Sequence, residues 1–212
     1  MKLPRLYPIA DIETLARRGV SLPAFVRQVV AGGAEILQLR DKLGAPADIL
    51  RHAAEVTEAL GQSSCLAVMN DRADLAVLAG WRAVHVGHRD LPPDAARQVF
   101  GEHPGEAVVV GISTHNEEQV LAADASSADY IAVGPVFATG TKADAEPVIG
   151  LEGVRHLRAM TTKPMVAIGG ITLRNAAAVT EAGADSVAVI GSLFTFEMDV
   201  ERAVRDFLSR LR

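Results

Sequence analysis

Charged and hydroxyl-bearing residues collect at six places in this chain, each at the end of a short apolar run. The clusters are Gln38-Leu39-Arg40-Asp41-Lys42, Asn70-Asp71-Arg72, His85-Val86-Gly87-His88-Arg89-Asp90, Ser113-Thr114-His115, Thr139-Gly140-Thr141-Lys142 and Gly169-Gly170. Cations, carboxylates and Gly-rich turns gathered in one place suit a phosphorylated substrate and a hard divalent metal. Gln38, Arg40 and Lys42 are spaced by two. Strand side chains alternate, so an extended chain turns all three the same way and brings an amide and two cations into one space. A solvated surface run accounts poorly for cations that begin inside an apolar strand. Asn70-Asp71 and Asp90 offer oxygen ligands only, and Mg²⁺ is commonly held by one or two carboxylates plus substrate phosphates. A lone Asp after a strand more often caps a helix, but two of them beside Arg40 and Lys42 favour the metal.

The Thr139–Lys142 stretch has hydroxyls and an ammonium suited to an anion, without the spacing of a Walker loop. Gly170 follows a later apolar run, and Ile190-Gly191 closes the last one. One glycine means a tight turn; glycines after the last two strands of a barrel point to its common phosphate site. Two anion sites are therefore expected. One comprises Arg40, Lys42, Asn70 and Lys142 with a metal, and the other the backbone at Gly170, Ile190 and Gly191. Two phosphorylated substrates, or one bisphosphate, would fill them. His85 faces inward with its strand, where a hydrogen-bonded structural histidine is as good a reading as a functional one.

These clusters need elements that bring them to one rim. Eight apolar runs serve: Leu6–Ala10, Ile36–Leu39, Leu66–Met69, Ala83–Val86, Ala107–Ile112, Tyr130–Val133, Met165–Ile168 and Ser186–Ile190. Continuous apolar runs fit parallel strands covered on both faces. Between them lie segments of helical period, such as Leu22–Val30 and Val200–Leu211. The second carries a stripe of Val200, Val204, Phe207, Leu208 and Leu211, which reads as an outer helix packing on a strand and not as a membrane surface. Ala31-Gly32-Gly33, Ala79-Gly80 and Ala182-Gly183 each put glycine where a helix ends and a strand begins. Strand and helix alternating eight times make an α/β fold, a single (β/α)8 TIM barrel over residues 1–212, with its active site at the C-terminal ends of the strands. An open doubly wound sheet would carry a phosphate fingerprint in its first turn. That turn, Asp11-Ile12-Glu13-Thr14, has none.

The bulk numbers agree. The 212 residues are 49% hydrophobic with a net charge of −5, which fits one soluble domain and gives no support for nucleic-acid binding. The single cysteine, Cys65, lies in an apolar run and reads as a small buried hydrophobe. With no apolar stretch of roughly 18 residues and no signal peptide, no membrane partner and a cytoplasmic location are expected. A homo-oligomer is compatible with all of this.

The ordered set of motifs resembles thiamine-phosphate synthase over nearly the whole chain. It runs through Gln38–Lys42, Asn70–Ala76, His85-Val86-Gly87, Asp90-Leu91-Pro92, Gly111–Asn116, Ala128–Phe137, Thr139 with Thr141-Lys142, and Ile168–Ile171. The resemblance implies a transferase of thiamine biosynthesis. It would join 4-amino-2-methyl-5-hydroxymethylpyrimidine diphosphate to 4-methyl-5-(2-phosphoethyl)thiazole, or its carboxylate, in a Mg²⁺-assisted dissociative substitution that releases diphosphate. It further implies that Arg40, Lys42, Asn70 and Lys142 hold the diphosphate, with Arg40, Lys42 and Lys142 acting on the leaving group, and that Asp71 and Asp90 ligate Mg²⁺. Gln38, Ser113 and His85 would line the pyrimidine pocket, and Thr139 and Thr141 would bind the thiazole phosphate beside the Gly170, Ile190 and Gly191 backbone. Two departures stand out: Gly191 replaces a common Ser, and His88-Arg89 replace a Gln-containing stretch.

Two other functions fit such a barrel. A thiazole tautomerase would use His115 as general acid/base but has no reason to assemble Arg40, Lys42, Asn70, Asp71, Asp90 and Lys142. A non-catalytic thiamine-phosphate-binding barrel would bind without turnover.

Overall fold

The computed structural model describes residues 2–101, 107–139, 147–194 and 199–211. Its strands are β1 (Leu6–Asp11), β2 (Ile36–Arg40), β3 (Leu66–Asn70), β4 (Ala83–Val86), β5 (Val109–Thr114), β6 (Tyr130–Val133), β7 (Met165–Ile168) and β8 (Ser186–Val189). All pair in parallel in chain order, and β8 returns to β1 through Leu6↔Val187, closing the expected TIM barrel. The helices are α1 (Ile12–Arg18), α2 (Leu22–Ala31), α3 (Pro46–Leu60), α4 (Ala73–Leu78), α5 (Pro93–Val99), α6 (Glu117–Ala125), α7 (Gly150–Arg158), α8 (Ala176–Glu181) and α9 (Val200–Arg210).

The apolar runs are continuous because each strand is covered twice. Ile9, Ile36, Val68, Ala132, Val166 and Ala188 fill the interior, while neighbours such as Leu37, Leu39, Met69 and Val187 face the helices. The α2 residues Phe25, Val26 and Val29 are buried, as are Val200, Val204, Phe207 and Leu211 in and after α9. Each such side chain contributes about 1.5–3 kcal/mol by leaving water. The α9 stripe is thus packing surface. Gln28 Oε1 accepts from the Val200 N–H at 3.0 Å, tying α9 to α2 where the helical ring closes. Among the described residues no helix is long and apolar enough to cross a membrane.

Gly33, Gly80 and Gly183 take positive φ (97°, 73° and 114°) at the helix-to-strand joints, as expected. Gly32 does not: it is right-handed. Strand ends also differ from expectation: β1, β2 and β3 each run one residue further, to Asp11, Arg40 and Asn70. The fifth strand runs later than Ala107–Ile112, because Ser113 and Thr114 still pair with Ala132 and Val133. The eighth stops at Val189, leaving Ile190 to open a short 3-10 turn, Gly191–Leu193. Cys65 is buried, and burial pushes its thiol up to about 12, which leaves it unreactive at neutral pH.

Candidate active site

The strand ends surround a small cavity that opens to solvent. Six of the sequence-predicted residues line it: Gln38, Arg40, Asn70, His85, Ser113 and Ile190. They come from β2, β3, β4, β5 and the end of β8, and the pleat explains why. Residues facing the interior recur every second position, so β2 contributes Gln38 and Arg40 while Leu39 goes to the helices.

Lys42 departs from expectation. It does not share the cavity with Gln38 and Arg40, because the strand ends at Arg40 and the period of two ends with it. The chain turns there, and Asp41 anchors the turn: its Oδ1 accepts from Gly44 N–H at 2.8 Å, and its Oδ2 lies 2.9 Å from His52 Nδ1. Lys42, half exposed, pairs instead with Asp71 beyond β3. Arg40 reaches the other way, to Asp11 at the end of β1. The two cations therefore part toward opposite neighbours, each with a carboxylate.

Neither metal candidate caps a helix. The first turn of α4 follows Arg72 with no side-chain cap, and α5 follows Pro92. Asp71 is the one non-glycine residue with positive φ (62°) among the described residues, a conformation Asp tolerates better than most. Its N–H donates to the His85 carbonyl at 2.7 Å, which fixes the twist and aims the carboxylate at Lys42 and Asp90. Asp90 Oδ2 accepts from Gly87 N–H at 2.8 Å. Burial raises the Asp71 carboxyl above the usual carboxylate range; Lys42 opposes this and the facing Asp90 adds to it. Two facing carboxylates, Asp71 half-buried and Asp90 exposed at the rim, are an environment that a hard cation relieves. Among the described residues no third His, Cys, Asp or Glu joins them, so the remaining ligands would come from substrate and water.

The other predicted residues lie around the same rim. Gly170 has φ 63°, and a Cβ there would stand 2.6 Å from the Ala138 carbonyl oxygen, so glycine alone lets the turn after β7 touch the segment after β6. Its own carbonyl accepts from Asn175 Nδ2 at 3.1 Å. Gly191 begins the turn after β8, with open space where a side chain would stand, so the missing Ser leaves a gap and no clash. Thr139 is half buried at the end of a described segment. Thr141 and Lys142 lie outside the described residues. His115 donates from Nδ1 to the Gly134 carbonyl at 2.6 Å, and its N–H donates to Gln119 Oε1 at 2.7 Å, so it braces the ends of β5 and β6. The His88 ring meets it edge-on at 5.5 Å.

Three contributors were not found from sequence. Asp11, 3% exposed, uses Oδ2 for Arg40 while Oδ1 accepts from the Thr14 N–H (2.9 Å) and hydroxyl (2.6 Å), capping α1. Tyr7 and Tyr130 meet across the interior with hydroxyls 2.8 Å apart. Gln38 Nε2 donates to Tyr7 Oη at 3.3 Å, Tyr130 Oη lies 3.0 Å from His85 Nδ1, and His85 Nε2 lies 2.8 Å from Ser113 Oγ. These five side chains form one polar line across the cavity floor. The only signal was that the chain's two tyrosines both sit inside apolar runs.

Comparison with known proteins agrees along the whole chain. The family described as thiamine monophosphate synthase matches residues 6–193. A thiamine-phosphate synthase of Koribacter versatilis is 46% identical, covering 100% of this chain and 97% of that one. Another from Methanoculleus marisnigri is 41% identical, with 97% and 94% covered. Among solved structures, the thiamine phosphate pyrophosphorylase of Pyrococcus furiosus superposes with a TM-score of 0.83 at 30% identity, covering 98% of this chain and 95% of that one.

Proposed function

The chain belongs to the thiamine monophosphate synthase family, and on that premise we propose how its rim carries out the coupling. The protein is a transferase that forms thiamine phosphate from a phosphorylated pyrimidine and a phosphorylated thiazole. The juxtaposition at one barrel mouth of the Asp71–Asp90 pair with Arg40 and Lys42 is the observation that supports the assignment of roles.

The pyrimidine enters the cavity between Gln38, His85 and Ser113, and its diphosphate lies outward toward Arg40, Asn70, Lys42 and Lys142. As the bond to the leaving group breaks, negative charge grows on the diphosphate. Side-chain cations that meet it there stabilise that charge more than the ground state and lower the barrier. The thiazole, held by its phosphate at Thr139, Thr141 and the backbone of Gly170, Ile190 and Gly191, presents its nitrogen to the pyrimidine cation. No general base is needed. The reaction is metal-assisted, and the oxygen-only pair Asp71 and Asp90 fits Mg²⁺, which when bound neutralises charge on the leaving diphosphate. The lone cysteine fits a cytoplasmic location.

Incubation with both substrates and Mg²⁺ should yield thiamine phosphate and diphosphate in equal amounts; no product under any metal would refute the reading. Lys142→Ala should lower kcat/KM by about 10- to 150-fold, the loss of one charge-assisted bond of roughly 1.5–3 kcal/mol. Wild-type kinetics would remove Lys142 from the site. His115→Ala should keep coupling within about tenfold, since its ring is a brace, whereas loss of a general acid/base costs about 10²–10⁴-fold. An inactive His115→Ala protein that still folds would favour the tautomerase reading.

A further inference from the structure

We propose that Tyr130 is a positioning residue that crosses the barrel over Gly111 and holds His85 with its proton on Nε2, so that the Ser113 hydroxyl presents its hydrogen to the cavity. This rests on the reading of the cavity as the pyrimidine site.

The crossing is built into the strands. Gly111 of β5 is the register partner of both Tyr130 on β6 and His85 on β4. A Cβ at Gly111 would stand 2.0 Å from Tyr130 Cζ and 2.4 Å from its Oη. No side chain but hydrogen leaves room for the phenol to lie over β5. By crossing there, Tyr130 stacks on His85, with ring centroids 5.4 Å apart, and meets Tyr7 edge-on at 6.0 Å.

Counting donors then sets one direction along the line. Gln38 gives a hydrogen to Tyr7 Oη, so the Tyr7 hydrogen goes to Tyr130 Oη. The Tyr130 hydrogen in turn goes to His85 Nδ1, which must accept. A neutral imidazole accepting at Nδ1 carries its hydrogen on Nε2 and donates it to Ser113 Oγ. Ser113, having accepted, directs its own hydrogen to the cavity that it lines. The opposite direction would point the Tyr7 hydrogen at the Gln38 N–H. Both tyrosines are fully buried, and burial raises both phenols, so they remain neutral donors. A hydroxyl fixed as a donor selects a ring nitrogen with a lone pair. A ligand offering N–H or C–H there would leave a buried polar group unpaired.

Nitrogen-15 NMR of the full chain at neutral pH tests this, with His85 assigned by comparison with His85→Gln. The wild type should show His85 as one tautomer, Nε2 protonated and Nδ1 accepting. Tyr130→Phe removes only the hydroxyl and should give a mixture of tautomers, with kcat/KM reduced about 5- to 20-fold. Ser113→Ala should then cost less in Tyr130→Phe than in wild type, because the two act as one unit. Gly111→Ala should reproduce the spectral change. A wild-type His85 protonated on Nδ1, or a tautomer that Tyr130→Phe leaves unchanged, would overturn the relay. The expected tautomers in a protein that makes no thiamine phosphate would uphold the relay and overturn only the assignment of the coupling reaction.

Discussion

Stripping divalent cations with a chelator is expected to lower coupling by more than about 10³-fold while the barrel stays folded, because several kcal/mol of leaving-group stabilisation go with the metal. Asp71→Asn should act in the same direction, by about 10²-fold, with partial recovery at high Mg²⁺. Asn is the informative replacement, because it tolerates the positive φ of 62° at this position and keeps the turn. Alanine would add backbone strain to the loss of a ligand. The variant should melt no lower than the metal-free wild type, since it removes one of two carboxylates in contact and disturbs no helix cap. Full turnover in excess chelator, or an Asp71→Asn enzyme with wild-type Mg²⁺ dependence, would exclude Asp71 as a ligand.

Arg40→Ala is expected to reduce kcat/KM by more than about 10³-fold, because two effects add. A charge-assisted contact to the diphosphate is lost, and the Asp11 carboxylate is left buried, uncompensated and repelling the incoming anion. The converse substitution separates the two. Asp11→Ala removes the partner of Arg40 and the cap of α1 together. Breaking a buried ion pair costs about 3–5 kcal/mol and losing a cap about 1 kcal/mol. Arg40 opens toward the cavity, so a total of roughly 2–4 kcal/mol is expected, lowering Tm by about 5–15 °C. Asp11→Asn keeps a capping side chain and should recover part of the melting temperature but little of the activity. An Asp11→Ala protein with unchanged Tm and turnover would show that Arg40 needs no anchor.

The barrel was legible because parallel strands covered on both faces leave continuous apolar runs. The ends of those runs were less so. Ser113 and Thr114 are polar, yet the backbone ladder carries them into β5, because pairing and not polarity ends a strand. The rim acids were legible from residue type and place. Lys42 was misplaced because a period of two holds only while the chain stays extended. Asp11 looked like ordinary turn chemistry, since nothing local marks Arg40 of the next strand as its partner. Tyr7 and Tyr130 were hidden because their contact spans 123 residues of sequence and because tyrosine in an apolar run reads as bulk. Gly111 carried meaning only once the register placed Tyr130 beside it.

The pairing of β8 with β1 has a bearing on how the chain acquires its site. Tyr7 and Asp11 come from the first strand, and Ile190 follows the last. Their meeting requires the two ends of the sequence to find each other, which closes a loop of nearly the whole chain at a high cost in entropy. Folding intermediates that hold only the middle strands can possess the Asp71–Asp90 pair and still have neither a cavity floor nor an anchored Arg40. Assembly of the site is therefore tied to one of the most non-local events of folding, and a nascent chain stays without this site until its last strand has been made.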